Sequence, residues 1–400
     1  MANETITAAK GFLAAGVAAG VKVSGKRDLA LLYCPEGATA AAMFTTNRIV
    51  AATVEVCREH AAAGQAHAVL VNSGNANACT GPEGLAAARR MCESVGTALK
   101  IDPRHVLPAS TGIIGVPLPI DKIDAGIGQA AGHLGDTARA GMDFARAIMT
   151  TDTRPKQAVR RIAISGCEVT IAGTAKGAGM IGPNMATTIC VAATDCAITP
   201  ELLRRAWRDA IGASLNRLIV DGHQSTNDTA IILASGAAGS RLIKNACPRY
   251  RAFAGALAEV TGDLARQMAL DAEGATRMFT VEITGAATAA EARQAARAVA
   301  GYDLVKCAVH GADPNWGRII CAVGSSGVRL DPQKLTCKIG DITVFRNGRP
   351  TAFDRHAVSA VIAAREHTIQ VDLGVGKAKD FCHGCDLSRN YVKINADYHT

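Results

Sequence analysis

Apolar positions along the 400-residue chain fall into two kinds of run. Short β-branched or aliphatic stretches closed by Gly, Asn or Pro predict strands at 28–34, 53–56, 68–71, 161–172, 188–193, 218–221, 229–234, 279–283 and 369–373. Longer stretches with apolar residues three and four apart predict amphipathic helices over 82–100, 201–214, 248–270 and 287–299. Thr199-Pro200-Glu201 is a helix start, with a hydroxyl to cap, Pro at the first helical position and an acid facing the positive end of the helix dipole. Strands and helices interleave, so the class is mixed α/β. No repeat, low-complexity stretch or Pro/Ser-rich linker divides the chain.

Composition adds to this picture. With 48% hydrophobic and 20% charged residues the chain can bury a large core, as two to three units or one intertwined one. Aromatics are only 4% while glycines number 40, so the core must be built from closely packed Val, Ile, Leu and Ala, which suits sheets covered by helices. The net charge of +8 comes from basic residues scattered no more densely than pairs such as Arg89-Arg90, Arg160-Arg161 and Arg204-Arg205. That describes a solvated surface mildly attractive to acidic metabolites, and no nucleic-acid partner is expected. The 13 cysteines are odd in number and lie mostly in apolar contexts, the pattern of reduced thiols in a cytoplasmic protein. Cys382-His383-Gly384-Cys385 is the one CxxC, and with no second pair no metal is expected. The run at 72–81 lacks a P-loop Lys, and the apolar run at 11–21 is too short to span a bilayer, so neither nucleotide nor membrane is expected. Trp316 reads as a packing anchor.

The chemistry concentrates in 176–195, KGAGMIGPNMATTICVAATD, where a Gly-rich loop with one Pro runs into a β-branched strand that starts with two threonines. A Thr hydroxyl held against the preceding carbonyl can attack it, giving an ester that water hydrolyses, and the product is a Thr with a free α-amine. Such an amine has a reference pKa of about 7.7 to 8.0, suited to act as base for its own hydroxyl. Lys176, if it points inward, lowers that value by like-charge repulsion. A Thr-Thr pair opening a strand also fits a plainly structural role. Likewise Ser110-Thr111-Gly112 reads as a glycine-containing turn.

Several long strings, in order along the chain, resemble the ornithine acetyltransferase family: GFLAAGVAAGVK at 11–22, SGKRDLALL at 24–32, VNSGNANACTG at 71–81, STGIIG at 110–115 and MTTDTRPK at 149–156. PNMAT at 183–187, STNDT at 225–229, EGAT at 273–276, DPNWGRI at 313–319 and CDLSRNYVKINADYHT at 385–400 continue the match. The resemblance implies a self-cut between Ala186 and Thr187, giving fragments 1–186 and 187–400 with Thr187 as nucleophile. It makes Thr111 and Gly112 the donors to the oxyanion, each worth roughly 3 kcal/mol of barrier. Thr153, Lys176, Thr187, Glu273, Asn395 and Thr400 become the substrate-binding positions, with Glu273 suited to an amine and Lys176 to a carboxylate.

The implied fold is a layered α/β/β/α sandwich shared by both fragments, assembled as a heterotetramer of two of each. The implied reaction belongs to arginine biosynthesis: acetyl moves from N-acetylornithine to glutamate through Thr187, releasing ornithine. No cofactor is needed, and acetyl-CoA serves as a co-substrate in bifunctional members. No motif separates the two kinds, and the ornithine-only cycle is the expectation. His223, Gln224 and Ala272 depart from the family pattern and bear on acceptor choice. Two other readings of the loop stand beside this one: a self-processing amidohydrolase or aminopeptidase, and an amino-acid-binding protein that never cleaves.

Overall fold

The computed structural model describes residues 4–182 and 188–397. Among these, eight strands build the first sheet: β1 (Leu13–Val17), β2 (Leu29–Phe44), β3 (Gln65–Asn75), β4 (Val106–Ile113), β5 (Lys156–Ile164), β6 (Cys167–Lys176), β7 (Ile189–Thr194) and β8 (Thr229–Ala234). Their order is β4-β3-β2-β8-β7-β6-β5, with β1 pairing to β2. Every residue of β7 and β8 is buried. In β7, Cys190 and Ala192 join one apolar cluster while Ile189, Val191 and Ala193 join another, so both faces of these strands are covered. That is why they read as unbroken apolar runs instead of alternating ones.

The helices α1 (Ala52–Ala61), α2 (Gly81–Leu99) and α3 (Ile120–Gly132) cover the outer face of β2 and β3, burying Leu29, Leu31 and Leu70 against Met91, Val95, Ile123 and Ile127. After α4 (Ala138–Ala147), helices α5 (Pro200–Ala213) and α6 (Pro248–Leu270) cover the outer face of β6, β7 and β8, with Trp207, Phe253 and Leu257 on Ile171, Cys190 and Ile232. Leu32, Val69 and Val71 share an inner cluster with Val191, Ile231 and Leu233. The result is helix, strands, strands, helix: the expected layered α/β sandwich.

A second sheet has the order β12-β11-β10-β13-β9-β14, from β9 (Met278–Ala286), β10 (Thr336–Ile339), β11 (Ile342–Arg346), β12 (Arg349–Pro350), β13 (Glu366–Asp372) and β14 (Ala378–Cys385). It has its own core, in which Val281, Ile283, Val371 and Cys382 meet α7 (Ala289–Gly301), α8 (Asp303–His310), α9 (Trp316–Gly324) and α10 (Arg355–Ala363). A last helix, α11 (Arg389–Asp397), closes the described chain.

Four sequence expectations are corrected. Residues 53–56 belong to α1, because Thr53, Val54, Val56, Cys57, His60 and Ala61 recur with helical spacing on its buried side. The expected strand 161–172 is a hairpin: Ser165 and Gly166, both at positive φ, turn β5 into β6, as a two-residue primed turn requires. Residues 218–221 form no ladder beyond a single bridge from Leu218 to His383; the N–H groups of Val220, Asp221 and Gly222 all point at the Ile181 carbonyl instead. Ser110-Thr111-Gly112 is the end of β4, in parallel register with Asn72-Ser73-Gly74 of β3. The α5 start lies where expected, although the Thr199 side chain makes no capping bond.

One buried ion network ties these elements into a site. The Lys156 ammonium, with no side-chain exposure, donates to Asp152 Oδ1 and, at 2.6 Å, to Asp271 Oδ2. Asp152 Oδ1 also accepts the Gly177 N–H at 2.8 Å, while its Oδ2 takes the Thr150 N–H at 3.0 Å. Asp271, the residue capping the end of α6, accepts from both the N–H and the hydroxyl of Thr153. Removing one member leaves uncompensated buried charge. Lys156→Met should therefore lower unfolding stability by about 3–5 kcal/mol, read as a lower urea midpoint.

Candidate active site

A cavity of about 280 Å³ opens where β4 and β6 end and β7 begins, and Thr111, Gly112, Lys176, Glu273 and Asn395 line it together. The parallel β3–β4 pairing carries Thr111 and Gly112 to its wall. Gly112 has φ +136°, and a Cβ there would lie 2.3 Å from the Gly74 carbonyl carbon, so only glycine lets the two backbones approach. Buried amides fix this strand end: Asn227 Nδ2 donates to the carbonyls of Ala76 at 2.6 Å and Ser110 at 2.7 Å, and the Ser110 hydroxyl donates to Asn72 Oδ1.

Lys176 ends β6 with 1% of its surface exposed, and its ammonium donates to Thr111 Oγ1 at 2.8 Å. That bond occupies a lone pair of the hydroxyl and leaves its hydrogen to donate toward an oxyanion. Burial pulls the Lys176 ammonium below its ordinary range, against the opposing pull of Asp152, Asp228 and Glu273.

Glu273 follows the end of α6, where its N–H bonds to the Ala178 carbonyl at 2.9 Å. Its carboxylate crosses Gly179, where a Cβ would sit 2.2 Å from Oε2. Asn395 Nδ2 of α11 donates to the same oxygen at 3.0 Å. Next to it the Tyr391 hydroxyl donates to Asp221 Oδ2 at 3.2 Å, an atom that also takes the Met180 N–H at 2.7 Å. Thus α11 forms one wall of the cavity through Tyr391 and Asn395.

Five of the substrate or oxyanion positions read from the sequence thus converge: Thr111, Gly112, Lys176, Glu273 and Asn395. Thr153 does not line this cavity; Asp271 holds its hydroxyl, and Thr150 and Thr151 of the same string face the cavity in its place. Ala186, Thr187 and Thr400 lie outside the described residues. Sequence reasoning also missed Asp221, Ser225, Asn227 and Tyr391, all of them cavity-lining. For Ser225, Asn227 and Tyr391 the only signal was membership in matching strings; Asp221 lies in none of them. The departures are near as well: His223 lines the cavity, and Ala272 is buried beside Glu273. Away from the site, Cys382 and Cys385 are buried in β14, where burial pushes the Cys382 thiol up to about 12 and Cys385 Sγ lies 3.4 Å from Lys306 Nζ.

Residues 13–400 match the ArgJ family. The arginine biosynthesis bifunctional protein ArgJ of Symbiobacterium thermophilum is 47% identical over 397 residues, covering 99% of this chain and 98% of the relative. The protein of the same description from Caldanaerobacter subterraneus subsp. tengcongensis is 44% identical over 395 residues, 98% of this chain and 97% of the relative. Among solved structures, the arginine biosynthesis bifunctional protein of Bacillus halodurans is 40% identical with a TM-score of 0.50, and the match spans 51% of this chain and 96% of that one. Matched from residue 13 to its last residue, and over almost the full length of such relatives, the chain belongs to the ArgJ family.

Proposed function

We propose that this enzyme moves an acetyl group from N-acetylornithine to glutamate, in arginine biosynthesis, through an acetyl ester on Thr187. Thr187 is freed as a new N-terminus by self-cleavage of the Ala186–Thr187 bond into fragments 1–186 and 187–400. The observation that carries this reading is the convergence of Lys176, Thr111 and Gly112 with Glu273 and Asn395 around one cavity at the mouth of β7. The α-amine of Thr187 takes the hydroxyl proton as the oxygen attacks the acetyl carbon. Thr111 and Gly112 hold the oxyanion, Lys176 polarises Thr111, and Glu273 receives the substrate amine. Ornithine leaves with the proton, and glutamate then attacks the ester. Thr153 acts through Asp271, and Thr400 is carried as a substrate contact on the family resemblance.

The arrangement of strands supports a cut that does not release its ends. β7 and β8, both from the second fragment, sit between β6 and β2 of the first, with continuous ladders on either side. The match to the Bacillus halodurans chain, nearly complete for that chain and half of this one, is what separate fragments would give. We further place the enzyme in the cytoplasm as a heterotetramer with no metal or cofactor. The description of the relatives as bifunctional supports acetyl-CoA as a second donor.

On a denaturing gel the purified protein should give two bands whose fragments co-elute as one species in native size exclusion, whereas Thr187→Ala should give one uncut band. Edman sequencing of the second band should read Thr-Thr-Ile-Cys; a single uncut band after prolonged incubation removes the reading. Turnover should depend on glutamate with no net acetate release, which an amidohydrolase would not show. Acetylation of Thr187 by acetyl-CoA, followed by mass spectrometry, checks the second donor.

Rate should rise with pH as the Thr187 amine loses its proton, so kcat should have an acidic limb. A charged Lys176 depresses the amine's pKa, and Lys176→Met should move that limb to higher pH and raise KM. A limb that stays put would leave Lys176 as a substrate contact only.

A further inference from the structure

Ornithine and glutamate share an α-carboxylate and an α-nitrogen and differ at the end of the side chain, where one carries an ammonium and the other a carboxylate. Glu273 in the cavity suits the ammonium, and Asp221 on the same wall adds a second acidic group. A glutamate side chain laid along the same path would set like charges together, which is unfavourable. The acceptor's carboxylate therefore needs a cation beside this cavity. Lys176 is engaged with Thr111 and suits the α-carboxylate that both amino acids share.

A second cavity, of about 520 Å³, adjoins the first, and Thr150 lines both. Its walls carry Lys22, Lys26, Arg27 and Arg146, while Asp152, the acidic residue among its described lining, is already paired with Lys156. Arg27 and Arg146 lie 3.2 and 3.8 Å from Asp143, and Lys26 is exposed. Lys22, in the loop between β1 and β2, is the cation set against the first cavity. Its ammonium donates to the Met149 carbonyl, next to Thr150, at 2.7 Å and to the Arg27 carbonyl at 2.8 Å. A Cβ at Gly74, the register partner of Gly112, would lie 3.0 Å from Lys22 Cγ. The side chain thus passes between the strand end that carries Gly112 and the segment that carries Thr150. Among the described residues, two of the three ammonium hydrogens are used and the third is left to donate to a ligand.

We propose that Lys22 binds the side-chain carboxylate of the acetyl acceptor, glutamate, so that the two substrates part at Thr150, ornithine's ammonium going to Glu273 and glutamate's carboxylate to Lys22. This deepens the reading of glutamate as acceptor and rests on it. As the glutamate nitrogen bonds to the acetyl carbon, the ester C–O bond breaks and the nitrogen's proton goes to the threonine oxygen; Lys22 exchanges no atom. Burial pulls the Lys22 ammonium down to about 8. Asp28, whose Oδ2 accepts the Lys22 N–H at 2.9 Å, and Asp152 of the 150–156 loop favour its charge, while Lys176 of β6 and the neighbouring Lys26 oppose it. Lys22 is therefore charged at neutral pH and loses its charge a little above it.

Lys22→Met keeps the length of the side chain and removes the charge. KM for glutamate should rise about 10- to 100-fold, and the preference for glutamate over glutamine as acceptor should fall by a similar factor. The first half-reaction, read as a burst of ornithine in the absence of glutamate, should keep its dependence on N-acetylornithine within about twofold. A lysine that only ties two carbonyls together would weaken both half-reactions and leave the glutamate-to-glutamine ratio where it was, and that result overturns the proposal. A wild type with no glutamate-dependent turnover removes both this inference and the acceptor reading. Glutamate-dependent turnover whose preference over glutamine survives Lys22→Met removes this inference only. Should the variant fail to fold, the wild type decides through competitive inhibition by glutarate and by its monoamide, which lack the amine. Glutarate should be the tighter by about tenfold at pH 7, and its advantage should shrink as pH rises past about 8, where Lys22 loses its proton. An advantage that is absent, or that stays level with pH, overturns the proposal.

Discussion

The Lys156 ammonium, sealed from solvent between Asp152 and Asp271, is the constraint on which the site depends. A buried ammonium is tolerated only when compensated, and the carboxylates that compensate it come from separate segments. Asp152 brings the 150–156 loop and, through the Gly177 N–H, the end of β6. Asp271 brings the C-terminal end of α6. Lys176 lies one residue before Gly177 and Glu273 two residues after Asp271, while Thr150 and Thr151 precede Asp152. Three walls of the cavity thus inherit their positions from one ion network.

That network also sets the electrostatics. Lys176 is held below its ordinary range by burial, and Asp228 is held above its own by the same cause. Each opposes the other's shift, so removing a charge on one side changes what the other can bear. The field of a buried ammonium or carboxylate on a neighbouring group is stronger than that of an exposed one, because less solvent screens it. Such a site suits a reaction in which an amine must be neutral to start, charged in the middle and neutral again at the end.

The sheet pairings are such that a cut at the proposed Ala186–Thr187 bond would leave the second fragment attached. β7 is paired to β6 on one side and to β8 on the other, and β8 is paired to β2, all by ladders of six residues. Both strands are buried on each face by apolar side chains from α5, α6 and the inner cluster. The attachment of the second fragment is therefore made of sheet hydrogen bonds and core packing, none of which runs through the bond proposed to break. The second sheet, with its own core, leans on this body through Ile219, Met278 and Cys385, each of which packs with the neighbouring cluster.

The sequence by itself determined the family, the mixed class and the long helices, because α2, α5, α6 and α7 carry helical periodicity over three turns or more. It also picked out Lys176, Thr111, Gly112, Glu273 and Asn395, five residues that the fold brings to one cavity. Short segments were less legible: 53–56 is β-branched locally but helical over ten residues, and a two-residue turn inside 161–172 hides in an apolar run. β2 runs on to Phe44 through a Pro-Glu-Gly bulge that no strand pattern predicts. Only the tertiary structure decided that Asp271 and not the cavity holds Thr153, that Lys156 is the buried joint, and that Asp228 stands beside the Thr188 N–H. Those facts depend on which distant segments meet and on which charges lose their water, and a linear pattern carries neither.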